Sequence, residues 1–158
     1  MKSILVIGAS SAGKSSTMSG VCKKLNPSKV YHLKINREDH YKSELIEAHV
    51  DEVYNNTYVI EVNGKLILVC AGAPTEQNFT ITIIIDVCIK IGIDISFAIV
   101  SMRSFERKNG FDTLSELGRK STILLSERIY RIADNDYKET AEWKNRIDKI
   151  VKIILENI

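Results

Sequence analysis

The octapeptide GASSAGKS, residues Gly8–Ser15, constrains this 158-residue chain more than any other part of its sequence. It fits the pattern G-x-x-x-x-G-K-[ST] in full. A short apolar run, Ser3–Ile7, precedes it and is typical of a buried parallel strand. A segment compatible with a helix follows and ends at Asn26-Pro27. The order of strand, glycine loop and helix predicts an α/β fold.

This glycine loop is typical of a phosphate-binding site. The N–H groups of such a loop and the positive end of the following helix converge on phosphate oxygens. Gly8 and Gly13 can adopt dihedral angles that other residues avoid, so the backbone can approach a ligand closely. We expect Lys14 to reach the β- and γ-phosphates, to be exposed, and to have little structural use for its charge. We expect the Ser15 hydroxyl to ligate Mg²⁺.

Over residues 3–25 the chain resembles the P-loop NTPase superfamily, in which this pattern is called Walker A. The resemblance implies an α/β fold, binding of ATP or GTP with Mg²⁺, and either hydrolysis or phosphoryl transfer. The residues that it places around the nucleotide are Gly8, Ala9, Ser10, Ser11, Ala12, Gly13, Lys14, Ser15 and Ser16.

The composition predicts one domain, residues 1–158, with a sizeable core. The net charge of +2 gives no reason to expect nucleic acid or an anionic membrane as a partner. Cys22, Cys70 and Cys88 lack C-x-x-C spacing and are expected to be reduced core residues, and the histidines have no metal-site spacing. The first apolar run is too short for a signal peptide, so we expect a cytoplasmic location.

Further strands and helices follow from the periodicity of the remaining chain. We expect strands at Lys29–Ile35, Tyr58–Val62, Lys65–Cys70, Ile95–Val100 and Ser121–Leu125, and helices near Lys42–His49 and at 79–91, Asp112–Leu117 and Tyr137–Glu156. Asn63-Gly64 is a strong hairpin signal, and the first hairpin arm is expected to be the more exposed one. Residues 79–91 are rich in isoleucine, which also suits a strand, but their length and Gly92 favour a buried helix.

Strands separated by helical crossovers predict a three-layer arrangement. We expect a mostly parallel central sheet, one antiparallel hairpin at its edge, and helices on both faces.

The order of glycine loop, long polar connection, hairpin and glycine turn is similar to that of Ras-like small GTPases. In those proteins the second hairpin arm ends in D-x-x-G, whose Asp supports Mg²⁺ and whose Gly senses the γ-phosphate. The matching window, Val69–Gly72, keeps the glycine at Gly72 and lacks the acid. The guanine-reading motif N-K-x-D is replaced by Ser126–Ile129, which favours ATP over GTP. Thr57 is a candidate switch threonine, although a single Thr beside a strand is most often only a strand former.

The sequence leaves three functions open. The first is an NTPase with slow unassisted hydrolysis, because Ser15 and the phosphates can hold Mg²⁺ while the Walker B acid is missing. Glu76 and Gln77, just past the Gly72 turn, are the nearest candidates for orienting the attacking water. They are equally well explained as solvated loop residues.

The second function is a small-molecule kinase, and the third is a non-catalytic nucleotide-binding switch or assembly module whose protein partner supplies the missing groups. Small-molecule kinases commonly place acceptor-binding residues after the second strand and lid arginines after the fourth. The corresponding polar residues here are Lys34, Asn36, Arg37 and Asp39 in one cluster, and Arg103, Arg107 and Lys108 in the other. Asp39 would take a proton from the acceptor hydroxyl, and the arginines would stabilise the transferring phosphoryl group.

Overall fold

The computed structural model describes residues 1–158 and has α/β architecture built on one seven-stranded mixed sheet. The strands are β1 (Lys2–Gly8), β2 (Lys29–Lys34), β3 (Glu44–Glu47), β4 (Thr57–Val62), β5 (Lys65–Cys70), β6 (Ile95–Arg103) and β7 (Thr122–Arg128). The helices are α1 (Lys14–Leu25), α2 (Pro74–Gln77), α3 (Ile81–Lys90), α4 (Thr113–Lys120) and α5 (Ala141–Glu156), with short 3₁₀ helices at His40–Lys42, Val50–Glu52 and Tyr137–Glu139. No helix combines the length and the apolar composition needed to cross a bilayer.

The sheet is less parallel than the sequence predicted. Its strand order is β3-β2-β4-β5-β6-β1-β7, and only the three pairings among β5, β6, β1 and β7 are parallel. The pairings of β2 with β3, β2 with β4, and β4 with β5 are antiparallel. The expectation of a mostly parallel sheet with one hairpin at its edge is therefore wrong. The hairpin lies inside the sheet because β2 pairs with its first arm.

Two local predictions fail for the same reason. The segment Glu44–Glu47 forms β3, where a short helix near Lys42–His49 was expected, because it pairs with Tyr31–Lys34 of β2. The first hairpin arm, β4, is mostly buried, because pairing with β2 and β5 places it inside the sheet and its side chains pack in apolar clusters on both faces. In both cases a long-range strand pairing overrides the local pattern.

The other predicted elements are present, although the terminal helix α5 begins at Ala141 and not at Tyr137, because Thr140 caps it. Asn63 and Gly64 both have positive φ, at 52° and 73°, as a two-residue hairpin turn of type I′ requires. The isoleucine-rich segment forms the helix α3, and Gly92 follows it with a φ of 78°. Helix α4 continues through Gly118, where the sequence predicted its end, to Lys120.

The core consists of two apolar clusters, and strand residues alternate between them. Helices α1 and α5 pack in the cluster that contains Ile4 and Val6 of β1. Helices α3 and α4 pack in the cluster that contains Leu5 and Ile7. Helices therefore cover both faces of the sheet. All three cysteines are buried free thiols, as predicted.

The parallel half of the sheet positions the loops that follow its strands. Strands β5, β6, β1 and β7 run in one direction, so the segments after Cys70, Arg103, Gly8 and Arg128 meet at one edge of the sheet. Crevices at the carboxyl ends of parallel strands are the usual binding sites of such sheets.

Candidate functional site

The glycine loop connects β1 directly to α1. Gly13 has a φ of 93° and Ser11 a φ of 66°, so two residues of this short loop have left-handed backbone conformations. Glycine adopts this conformation without a steric penalty. One hydrogen bond inside the loop, from Ala12 N to the Ala9 carbonyl at 3.1 Å, closes the turn. Helix α1 then begins at Lys14.

The amino end of α1 has no internal partners for its N–H groups. Gly13 is the N-cap residue and makes no side-chain capping bond, and the first turn contains no acidic residue. The amide groups of Gly13, Lys14, Ser15 and Ser16 donate to no acceptor within the protein. Unpaired N–H groups and the positive end of the helix dipole together favour an anion.

A cleft of about 750 Å³ opens over this helix end. One wall consists of Ser10 to Ser16, with Tyr54 and Asn55 beside them. The opposite wall comes from the segment between β7 and α5 and from α5 itself. Its residues are Arg131, Ile132, Asp134, Asn135, Tyr137, Trp143 and Arg146, and Glu76 and Arg103 complete the lining. The volume falls within the range of small-molecule sites, about 300–1,000 Å³.

Lys14 is not the exposed loop residue that the sequence predicted. It is the first residue of α1 and only 6% exposed. Its Nζ donates to the carbonyl oxygens of Gly8 and Ala9, both at 2.9 Å, and lies 4.0 Å from the Glu76 carboxylate. The charge therefore has a structural use, because it satisfies two carbonyl groups of the turn.

Burial lowers the pKa of the Lys14 ammonium, while the Glu76 carboxylate raises it and the Arg103 guanidinium lowers it further. An anion placed beside Lys14 would raise this pKa again, because it stabilises the charged form that burial disfavours.

Arg146 is a second partly desolvated cation at the same loop. Its guanidinium donates to Thr17 Oγ1 at 3.3 Å and to the Tyr130 carbonyl at 2.9 Å, and burial lowers its pKa. A Cβ atom at Gly13 would lie 3.6 Å from Arg146 Nη1, which places the guanidinium next to the loop backbone. Lys14 and Arg146 thus bring positive charge to the helix end from two different helices.

Ser15 joins the helix end to the turn after β5. Its hydroxyl donates to Asn55 Oδ1 and lies 3.1 Å from the Ala71 carbonyl. Gly72 packs so closely on this segment that a Cβ there would lie 2.2 Å from the Asn55 carbonyl oxygen. Only glycine fits at this position. Gly72 itself is not part of the cleft lining, so its place is structural in this arrangement.

The oxygens around Ser15 suit a hard cation better than a transition metal. Ser15 Oγ, Asn55 Oδ1 and the Ala71 carbonyl are neutral oxygen donors, which Mg²⁺ accepts when phosphates and waters complete its shell. No cluster of three His, Cys, Asp or Glu side chains that could hold a metal ion is present. The donor set therefore fits Mg²⁺ only together with an anionic ligand.

Of the two candidates for orienting a water, Glu76 lines the cleft and Gln77 does not. The Glu76 carboxylate accepts a hydrogen bond from Arg103 Nε at 3.0 Å. Gln77 donates to the Gly72 carbonyl at 2.6 Å and accepts from the Thr57 hydroxyl at 2.9 Å. Gln77 and Thr57 are thus engaged in holding the turn, and Thr57 is buried.

The two polar clusters suggested for a kinase are separated. Asp39 caps the 3₁₀ helix His40–Lys42 by accepting from Tyr41 N, and it lies outside the main clefts. Arg37 donates to the Gln77 and Asn78 carbonyls and stacks on Phe79. The expected role of Asp39 as a base for an acceptor in the cleft therefore has no geometric support.

The second cluster does lie beside the glycine loop. A second cleft, of about 720 Å³, is lined by Arg103, Arg107 and Lys108 together with Ala9 and Ser10 of the loop. Arg103 and Glu76 line both clefts.

Sequence reasoning did not find Asn55, Arg146 or the segment 131–137. Asn55 has a positive φ of 50°, and the Asn55-Asn56 pair is a turn signal that could have marked the position. Arg146 is 129 residues from Thr17 along the chain, and no local pattern connects them.

No protein-family model, curated protein or solved structure matches this chain.

Proposed function

We propose that this chain is a P-loop protein with the three-layer fold of that superfamily, and that it binds a nucleoside triphosphate with Mg²⁺ at the amino end of α1. The observation that carries the proposal is the uncapped helix end. Four consecutive amides, from Gly13 to Ser16, have no partner in the protein and line a cleft large enough for a nucleotide. A phosphate chain is the ligand that this arrangement of donors favours.

Charge at the cleft supports the same ligand. Lys14 and Arg146 flank the loop, and Arg103 and Arg131 line the same cleft. The Ser15 hydroxyl and the Asn55 side-chain oxygen are the groups that would hold Mg²⁺. When bound, the ion neutralises charge on the phosphate oxygens. Lys14 can exchange its bonds to the two loop carbonyls for bonds to phosphate oxygens without leaving the helix end.

We further propose slow hydrolysis of the γ-phosphate bond by water. The only carboxylate near Lys14 in the cleft is Glu76, and Arg103 holds it at 3.0 Å. One oxygen of this carboxylate is already occupied by Arg103, and imprecise placement of a water can cost about a hundredfold in rate. We expect unassisted turnover on the order of 10⁻³ per second or below.

We propose ATP as the preferred nucleotide over GTP, because no N-K-x-D motif follows the later strands. Asp134 lies in the cleft wall, but one of its carboxylate oxygens already accepts from Asp136 N at 2.8 Å. We expect GTP to bind no more than about tenfold tighter than ATP. A hundredfold preference for GTP would contradict this assignment and would make Asp134 the first residue to replace.

Calorimetric titration with ATP, GTP, CTP and UTP, each with and without Mg²⁺, tests the binding proposal. We expect one triphosphate per chain and tighter binding when Mg²⁺ is present. Absence of binding by all four nucleotides would overturn the proposal. Phosphate release on its own then identifies hydrolysis, and a stable complex without turnover identifies a binding module.

A small-molecule kinase is a second candidate, favoured by one observation. Arg103, Arg107 and Lys108 line a cleft that shares Ala9 and Ser10 with the phosphate loop, so an acceptor could sit beside the γ-phosphate. The same release assay separates the two activities, because a kinase consumes the triphosphate only when an acceptor is supplied.

A further inference from the structure

The second cleft carries a concentration of unbalanced positive charge. Four cationic side chains line it, namely Arg103, Arg107, Lys108 and Arg128, and the only acidic one is Glu76. The whole chain has a net charge of only +2, so this surface is far more basic than the average surface of the protein. Of the four cations, only Arg103 forms an ion pair.

The acid next in sequence does not compensate this charge. Glu106 lies between Phe105 and Arg107 in the chain, but its carboxylate accepts from both the backbone N and the hydroxyl of Thr113. It is thereby fixed at the amino end of α4 and does not line the cleft. Arg107 and Lys108 are left without an acidic partner.

One further feature favours a ligand in this cleft. Phe105 and Tyr130 line it and are 77% and 70% exposed, so they offer apolar surface for the body of a ligand.

We propose that the second cleft is a binding site for a small phosphorylated molecule, distinct from the triphosphate site and adjacent to it. Arginine-rich sites favour phosphate because guanidinium groups bind it through paired hydrogen bonds. A volume of about 720 Å³ suits a small molecule better than a polymer. The proposal rests on the proposed function in one respect only, namely that the ligand of the neighbouring cleft is a nucleoside triphosphate. Ser10, Glu76 and Arg103 line both clefts and form the boundary between the two sites.

The test is an NMR titration of the full-length chain with inorganic pyrophosphate, following two groups of amides. Gly13–Ser16 report on the loop, and Phe105, Arg107 and Lys108, which line only the second cleft, report on that cleft. We expect both groups to shift, with separable dissociation constants. The double variant Arg107→Gln/Lys108→Gln should weaken the second-cleft constant at least about fivefold and leave the loop constant unchanged within about twofold.

The matched control is Arg119→Gln/Lys120→Gln, which removes the same two charges at the end of α4, before β7 begins. We expect it to change neither constant by more than about twofold. Shifts at the loop alone, or equal weakening by both double variants, would overturn the second site and leave the proposed function standing. Shifts at the second cleft alone would overturn the triphosphate site instead. A single strand of about ten nucleotides that binds the second cleft more tightly than pyrophosphate would overturn the assignment to a small molecule.

Discussion

The amino ends of α1 and α4 differ in whether side chains of the protein accept hydrogen bonds from their first N–H groups. Each helix begins with N–H groups that have no partner within the helix. At α4 two carboxylates supply the missing partners, since Glu106 accepts from Thr113 N and Asp112 accepts from Ser115 N. At α1 the N-cap is Gly13, and no side chain accepts from the first turn.

The other long helices resemble α4. Thr80 caps α3 by accepting from Ile83 N, and Thr140 caps α5 by accepting from Trp143 N. Each of the other three long helices therefore has a side-chain cap at its amino end. The end of α1 is uncapped and has cations around it, and we therefore propose that an anionic ligand is its partner.

Among the variants that distinguish the amino end of α1 from that of α4, Lys14→Ala is expected to have the largest effect. We expect triphosphate affinity to fall about a hundredfold or more, equivalent to about 2.7 kcal/mol, because the cation nearest the loop is lost. The variant should also lose about 1 kcal/mol of unfolding free energy, because the carbonyls of Gly8 and Ala9 lose their donor. Calorimetry and urea unfolding measure the two quantities.

Lys23→Ala is the control for Lys14→Ala, since Lys23 is an exposed lysine near the other end of α1. It should leave affinity unchanged within about twofold. Unchanged triphosphate binding by Lys14→Ala would show that the ligand does not sit at this helix end.

A carboxylate built into the first turn should convert the end of α1 into one like that of α4. We expect Ser16→Asp to raise the unfolding free energy by about 0.5 kcal/mol, because a negative charge near a helix amino end is favourable. The same charge should lower triphosphate affinity about tenfold by competing with the phosphates. Ser16→Asn, which has the same shape without the charge, should show neither effect. Equal affinity for Asp and Asn variants would contradict a phosphate site here.

Removal of a cap at α4 should affect stability alone. Asp112→Ala is expected to cost about 1 kcal/mol of unfolding free energy, because Ser115 N loses its acceptor. Asp112→Asn should retain most of this stability, since Asn caps helices about as well as Asp. Urea unfolding gives the free energies, and ATP titration of both variants should match the wild type. A loss of ATP affinity in Asp112→Ala would mean that the two helix ends are not independent.

The smallest expected effect is a pH dependence at Lys14. Burial lowers its pKa in the folded chain, so above that pKa the unfolded chain binds more protons than the folded chain. The contribution of Lys14 to stability therefore rises with pH in the interval between the lowered pKa and the ordinary one. Affinity for pyrophosphate should fall in the same interval, because the neutral amine attracts phosphate less. Calorimetry at a series of pH values below the ordinary lysine pKa of about 10.4 should show this decline in the wild type and not in Lys14→Met. Equal declines in both proteins would assign it to another group.

Local patterns predicted the parts of this molecule that depend on nearby residues. The glycine loop, the Asn63-Gly64 hairpin and the buried helix α3 follow from spacing and turn chemistry, and all three are present. The antiparallel half of the sheet was not predictable in this way. It depends on β2 pairing with β4, and β3 pairing with β2, between segments that lie far apart in sequence.

The candidate site likewise combines features set by nearby residues with features set by distant segments. Its loop was predicted, but the burial of Lys14 was not, because the pattern of residues does not show that Lys14 donates to the Gly8 and Ala9 carbonyls of the folded loop. Asn55 and Arg146 reach the loop from segments about 40 and 130 residues away, over distances at which sequence periodicity carries no information.

The most direct test of the uncapped helix end is an NMR titration of the wild-type chain with ATP and Mg²⁺. The amides of Gly13, Lys14, Ser15 and Ser16 should shift and saturate together at one ATP per chain, because they gain phosphate acceptors. The amides of Thr113 and Ser115, which already have carboxylate acceptors, should not move. Shifts of equal size at both helix ends, or none at the amino end of α1, would contradict the account.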